Sequence, residues 1–149
     1  MPSQSNVRTL FAEIYARCGM PHDGGEIEPF VLQPGGNESV CVHYDSDEQV
    51  IWLTSHFEPI AALSADSLLR HLLENNLRSI ENGFACALDA GSAVPVVQSW
   101  LRGNLIHLPD FEVAVERHVA AVQQVRGLLT LPTLEAAHST HDCHHAVWG

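Results

Sequence analysis

Histidine and cysteine are concentrated near the C-terminus, where the stretch HSTHDCHH spans residues 138–145. Imidazole and thiolate are ligands that zinc, copper and nickel accept. On a helix, His141 and His145 would share one face and could chelate one such ion. A structural zinc site usually draws its ligands from two separated pairs, and no second pair lies nearby in this sequence. We therefore expect a polar tail without a native metal site, and a small metal-binding protein that uses this tail stays open as an alternative.

Other residues could also support chemistry, but each has a simpler explanation. His71 and Glu74 have the spacing of helical metal ligands, yet no partner helix repeats the pair. His118 falls on an apolar helix face, where a histidine with satisfied hydrogen bonds is expected rather than a catalytic base. One more site could form only if the fold brought its residues together: Cys41, His43 and His56. The chain has no GxSxG, GxGxxG or HExxH sequence, so we expect neither an enzyme nor a cofactor.

Composition excludes several classes of function. All seven basic residues are arginine, so a Walker A loop and a Schiff-base lysine are impossible. The net charge of −11 disfavours nucleic acid and anionic lipid as partners. The apolar runs are too short to cross a bilayer, and the N-terminus shows no secretory signal. Four widely spaced cysteines are then expected as free thiols in a reducing cytoplasm.

Apolar periodicity predicts eight elements in the order α-β-β-β-α-β-β-α. Helices are expected at 7–18, at 68–77 with Ser64 as a cap, and at 111–129 with Asp110 as the N-cap. Strands are expected at 27–33, 39–44, 49–54, 84–88 and 94–101, and Pro29 indicates that the first is an edge strand or begins late. The order contains no βαβ unit, so we predict an α+β fold with an antiparallel, twisted sheet of about five strands and three helices. Residues 1–131 would form this domain, and 132–149 a polar, His-rich tail.

The predicted strands carry apolar residues on both faces. The runs VIWL at 50–53 and VPVV at 94–97 do not alternate with polar residues, as a half-exposed antiparallel strand would. Three modest helices can cover one face of such a sheet. A bare apolar face is unfavourable, so we expect a second copy of the chain and a client polypeptide to cover the other. The alternative is that loops and the C-terminal segment fold back over it.

Three stretches of the chain resemble the class I type III secretion chaperones, the CesT/Tir chaperone family. The stretch LLRHLLENNL at 68–77 resembles that family's leucine-rich helix, which ends in Asn-Leu. The family's "LALD-x-x-G" hairpin and final "L-x-x-x-L-E-x-F-V" helix have these counterparts here: Ala87, Leu88, Asp89 and Gly91, then Phe111, Val115, Glu116 and Val119. His118 stands where the family often has an aromatic residue. The resemblance covers roughly residues 5–130; Gly103 after the last strand and the long tail depart from it.

The resemblance implies a small homodimeric chaperone of the bacterial cytoplasm with a role in virulence. Such a chaperone binds the N-terminal region of a secreted effector in extended form and keeps it soluble and competent for export, without hydrolysing ATP. The resemblance leaves open whether the chaperone also contacts the secretion apparatus. A dimeric protein-interaction module without a secretion role stays as the second interpretation.

Two sets of residues are expected to carry this function. The predicted effector-binding residues come from the first helix and the first three strands: Phe11, Tyr15, Phe30, Leu32, Val42, Tyr44 and Trp52. About half of them must be ordinary core, and alternation would put Phe30 and Leu32 on one side and Val31 on the other. The predicted dimer interface comes from the second helix and second hairpin: Leu72, Leu88, Val96, Trp100 and Leu101. Trp100 is the expected anchor, because indole combines a large area with a hydrogen-bond donor.

Overall fold

The structure is a computed structural model that describes residues 2–35, 37–58, 65–79, 83–89, 91, 94–103 and 106–130. The predicted tail at 132–149, with its HSTHDCHH stretch, lies outside these residues, and so does the predicted cap Ser64. Among the described residues, the cysteines Cys18, Cys41 and Cys86 are all free, as expected for this part of the chain.

The predicted element order is confirmed. The helices are α1 (Pro2–Arg17), α2 (Ala65–Ser79) and α3 (Leu108–Thr130). The strands are β1 (Phe30–Gly35), β2 (Glu38–Asp45), β3 (Val50–His56), β4 (Phe84–Leu88) and β5 (Pro95–Arg102). They form one sheet in the order β1-β2-β3-β5-β4, and every neighbouring pair is antiparallel. The predicted α+β fold with a five-stranded sheet and three helices is therefore correct.

The helix ends follow from local hydrogen bonding. Helix α1 stops in a Schellman motif, in which Met20 N–H donates to Tyr15 O and Gly19 N–H donates to Ala16 O. Gly19 takes the left-handed conformation that this motif requires, with φ of 66°. Helix α3 begins two residues before the predicted cap. Asp110 lies in its first turn, where its carboxylate accepts the His107 N–H at 3.0 Å, so its acidic side chain supports the helix start from inside the helix.

Strand β1 begins at Phe30 and not at residue 27, which is the late start that Pro29 indicated, and it lies at an edge of the described sheet. Pro29 stands immediately before the strand. A proline lacks the N–H group that a sheet ladder needs, so pairing starts after it. The register then pairs Phe30 with Val42 and Leu32 with Val40.

The helices pack on one face of the sheet, which we call the inner face. One core cluster joins Val7, Phe11 and Ile14 of α1 to Val42 of β2 and Leu53 of β3. The second joins α2 and α3 to β4 and β5: Leu72, Phe84, Cys86, Val97, Val122 and Val125. Every strand residue in the two clusters belongs to the inner face, so these contacts cover that side only.

The opposite side, the outer face, carries the alternate strand residues. The register aligns three of them across the central strands, because His43 pairs with Trp52 and Trp52 pairs with Trp100. The two indole rings lie 6.1 Å apart, tilted by 52°. Val31 on β1 and Trp100 on β5 are 57% and 41% exposed. Val96 differs: it lies on the same face between His56 and Ala87, yet it is already buried in the subunit.

Candidate functional site

The residues that could bind a metal ion do not converge in the described part of the chain. Cys41, His43 and His56 do share the outer face, but they occupy three different cross-strand rows. His71 and Glu74 lie on α2 and have no third ligand. Over the described residues, no group of three histidine, cysteine or acidic side chains is close enough to hold a metal ion.

His118 is a buried polar group of the core and joins α3 to the sheet. Its side chain is 1% exposed. Its Nε2 lies 3.0 Å from Ser55 Oγ on β3, and its Nδ1 lies 2.7 Å from Ser99 Oγ on β5. The Ser55 hydroxyl itself donates to the Ser39 carbonyl at 2.9 Å. Because that hydroxyl has one hydrogen, Ser55 Oγ must accept from His118, which places the ring hydrogen on Nε2.

The same arrangement accounts for the electrostatics of His118. With its hydrogen on Nε2, the ring accepts the Ser99 hydroxyl at Nδ1, so both nitrogens are satisfied in the neutral form. Burial lowers the pKa of His118 from 6.5 to about 4, because removal from water disfavours the charged ring. The expectation of a histidine with satisfied hydrogen bonds is confirmed. Its side chain is too deeply buried to reach a substrate, so it positions α3.

A groove of 360 Å³ lies beside the edge strand β1. Its wall combines α1, β1 and α3, and apolar side chains dominate it: Ile14, Leu32, Pro34, Phe111 and Val115. Glu116 also lines it, and the ion pair between Arg17 and Glu112 crosses it at 3.3 Å. Both partners of that pair are exposed, so it contributes little to stability. Among the described strands, β1 pairs with β2 alone. No described strand lies next to its other edge, which borders the groove.

The predicted effector-binding residues divide between core and surface. Phe11, Val42 and Tyr15 are buried inside the subunit. Phe30, Leu32, Tyr44 and Trp52 are partly exposed. Four of the aromatic rings form one cluster with centroids 5.2 to 6.2 Å apart: Phe11, Tyr15, Phe30 and Tyr44. The expected division of faces is confirmed, because Phe30 and Leu32 pack against the core while Val31 points to the outer face. Client binding by this set stays a prediction.

The predicted dimer residues divide in a similar way. Leu72 and Val96 are buried in the subunit, and Leu88 and Leu101 pack against its two core clusters. Trp100 alone among the five is largely exposed. The role of this set in a dimer also stays a prediction.

Sequence reasoning missed Leu69 and Leu73 as surface residues. They are 43% and 56% exposed and lie one turn apart on α2. The sequence placed them on the same apolar face as Leu72, but the structure buries Leu72 and leaves these two in water. The available signal was a helix with leucines around about half of its circumference, which is wider than one buried stripe.

Among the comparisons with known proteins, the one with solved structures bears on the fold. No protein-family model matches the chain, and no curated protein does. A chain in the crystal structure of the ExsC–ExsE complex is similar, with 17% identity and a TM-score of 0.64 over 81% of this chain and 91% of that one. A chain in the HopA1–SchA chaperone–effector complex has 15% identity and a TM-score of 0.63, covering 81% and 94%.

A third similar chain belongs to the ExoT–SpcS complex from Pseudomonas aeruginosa, with 14% identity, a TM-score of 0.54 and coverage of 78% and 94%. All three structures are complexes of two proteins, and the second is described as a chaperone–effector complex. At such identities the likeness concerns the fold, and it agrees with the resemblance found in the sequence. The three helices and five antiparallel strands of this chain therefore form the same fold as the matched chains of these three complexes.

Proposed function

We propose that this chain is a type III secretion chaperone that binds the N-terminal region of an effector in extended form. It would keep that effector soluble and competent for export. The observation that carries the proposal is an edge of β1 that no described strand pairs with, beside an apolar groove, in a fold shared with chains of three chaperone–effector complexes.

The β1 edge suits an extended polypeptide. A client strand that adds to a sheet edge gains backbone hydrogen bonds, while its alternate side chains enter pockets on one face. At β1, the inner-face pocket is the groove lined by Leu32, Pro34 and Val115. A client that is disordered when free loses chain entropy on binding, so it needs a large apolar contact. The groove and the partly exposed Phe30 supply part of that contact.

Charge would select among clients. The chain has a net charge of −11, and Glu112 and Glu116 line the groove. Acidic groups around a docking site attract basic stretches of a partner and speed association at low ionic strength. We therefore expect the bound segment to combine alternating apolar residues with nearby arginine or lysine, and its affinity to fall as salt is raised.

A homodimer would account for the apolar residues that the subunit leaves exposed. Trp100 on the outer face and Leu69 and Leu73 on α2 are each more than 40% exposed. Leu69 and Leu73 share one apolar surface of α2, and Trp100 lies beside Trp52 on the outer face, so these are two separate candidate contact surfaces. A two-fold dimer would repeat the client-binding edge along one continuous effector. Contact with the secretion apparatus is a further part of this proposal.

The remaining observations agree with a binding protein of the bacterial cytoplasm, which we propose as its compartment. In the described part of the chain, no helix is both long and apolar enough to span a membrane. We propose no catalytic step, because the buried ring of His118 is held between two serines by hydrogen bonds that secure the fold.

Co-expression with the protein encoded by the adjacent gene would test the proposal. We expect a co-purified complex in which limited proteolysis and mass spectrometry reveal one protected, extended segment near the client's N-terminus. Leu32→Gln should weaken the complex, because Leu32 lines the groove. Val31→Gln is the matched control, since Val31 is the next residue of the same strand but points to the outer face. Equal retention of client by both variants would refute binding at the β1 groove.

A dimeric interaction module without a secretion role is distinguished by the nature of the partner. Such a module would bind a folded partner and would protect no extended segment from protease. That result would contradict the chaperone proposal while leaving the fold unchanged.

A further inference from the structure

Strand β4 forms the second edge of the described sheet, and the outward backbone groups of its central residue, Cys86, are already hydrogen-bonded. The Cys86 N–H donates to Asn76 Oδ1 at 2.6 Å, and Asn76 Nδ2 donates to the Cys86 carbonyl at 2.7 Å. A side-chain carboxamide carries one acceptor and two donors, as two peptide groups of a neighbouring strand would offer. Asn76 thus satisfies both backbone groups of Cys86 at the position where an added strand would pair.

The packing of α2 holds this contact in place. Leu72, one turn before Asn76, is buried in the cluster that contains Cys86 and Phe84. The neighbouring Asn75 donates from Nδ2 to Cys86 Sγ at 3.2 Å. Two consecutive asparagines therefore contact one residue of β4, but only Asn76 contacts its backbone through these bonds.

The other edge of the sheet differs. Across the residues that the structure describes, no side chain makes a comparable pair of hydrogen bonds to the backbone of β1. An edge strand with free N–H and C=O groups is a template for another chain. The two edges are therefore unequal: β1 is open at the groove, and β4 is closed at its centre.

We infer that Asn76 acts as an edge plug, which blocks strand addition at β4 and directs an extended polypeptide to β1. The same plug prevents two copies of the chain from pairing through their β4 edges. The identity of the strand that adds at β1 rests on the proposed function, whereas the closure of β4 does not. The partner that the plug excludes is a second copy of this chain. Every copy carries the same β4 edge, so without the plug two such edges could meet and pair.

Amide hydrogen exchange on the full-length, unmodified chain gives the first test. We expect the Cys86 amide to exchange as slowly as amides in the middle of β5, since its hydrogen bond opens only when α2 moves away. Fast exchange of the Cys86 amide, at a rate typical of an exposed strand edge, would overturn the inference. This measurement needs no variant and no client.

Removal of the plug gives the second test. In Asn76→Ala, the Cys86 amide should exchange about tenfold faster or more, because one hydrogen bond of ordinary strength is lost. Sedimentation velocity should show oligomers larger than those of the unmodified chain, increasing with concentration. Asn75→Ala is the matched control, since it removes the contact with Sγ and leaves the backbone contact of Asn76 intact, so it should keep the original oligomer size.

The outcomes separate clearly. An Asn76→Ala chain that exposes the Cys86 amide but keeps the original oligomer size would refute the role of the plug in blocking self-association. Larger oligomers in both variants would assign the effect to general destabilisation of α2, which also contradicts the inference. Neither experiment contains a client. A negative result in either would therefore not bear on client binding at β1, and absence of client binding at β1 would not prevent either test of Asn76.

Discussion

Acidification should destabilise this protein through His118, because its neutral ring is the form that the core accepts. The Ser55 and Ser99 hydroxyls match the tautomer with its hydrogen on Nε2. A second ring hydrogen on Nδ1 would face the Ser99 hydroxyl, which now donates to that atom. Glu38 on β2 and Arg126 on α3 pair with each other at 3.0 Å. Burial is the cause of the lowered pKa.

The size of the effect follows from proton linkage. The folded pKa of about 4 lies below the unfolded value of 6.5, so the unfolded chain binds more protons between these values and stability falls as the pH falls. The full shift corresponds to ~3 kcal/mol at ~1.36 kcal/mol per unit. Between pH ~7.5 and pH ~5, the loss in free energy of unfolding assigned to His118 is about 2 kcal/mol.

Urea denaturation at a series of pH values would measure this loss. His118→Gln removes the titrating group and keeps a polar side chain, so its stability should be lower at neutral pH but should change less with pH. His43→Gln is the control for replacing a histidine by glutamine, because His43 is exposed on the outer face and its replacement leaves the buried ring and its two serines in place. The difference between unmodified and His118→Gln profiles cancels the other titrating groups. Parallel profiles for the two proteins would refute the reasoning about the buried ring.

Three further perturbations have defined outcomes. Trp100→Glu should give a monomer or an aggregate by light scattering. The control, Val113→Glu, alters an exposed residue of α3 and should keep the original size. A well-behaved Trp100→Glu dimer would show that the interface lies elsewhere. Arg126→Met removes the contacts of Arg126 Nη2 with both carboxylate oxygens of Glu38 and a cation–π contact at 5.1 Å. It should lower the free energy of unfolding in urea by about 1 kcal/mol or less, since the Arg126 side chain is half exposed. Arg17→Met, at a more exposed pair, should cost less still. Calorimetric titration with zinc should show equally weak binding to the full chain and to the 1–131 form; tight binding lost on truncation would identify the tail as a metal site.

Periodicity identified the elements of this protein because each apolar stripe reflects one local geometry. The i, i+3, i+4 spacing from Val7 to Ile14 requires a helix whatever it packs against. Alternation placed Phe30 and Val31 on opposite faces correctly for the same reason. The element limits were less secure: β1 starts after Pro29, and α3 starts before Asp110, because both ends depend on which backbone groups find a partner.

The candidate site could be predicted only in part. Alternation shows that two residues share a face, but it does not show which face the helices cover. Phe11 and Val42 were therefore assigned to client binding together with Leu32, although the structure buries the first two and leaves the third beside the groove. Leu69 and Leu73 were likewise merged with Leu72.

The sequence alone determined the composition limits, the order of helices and strands, and the two-sided apolar character of the central strands. These properties depend on residue types and short spacings, which the chain carries with it in any conformation. Only the tertiary structure decided which strand lies at each edge, which edge Asn76 closes, and that His118 meets two serines from different strands. Those contacts join residues 10 to 63 positions apart, and their geometry exists only after the sheet has formed its register and the helices have packed against it.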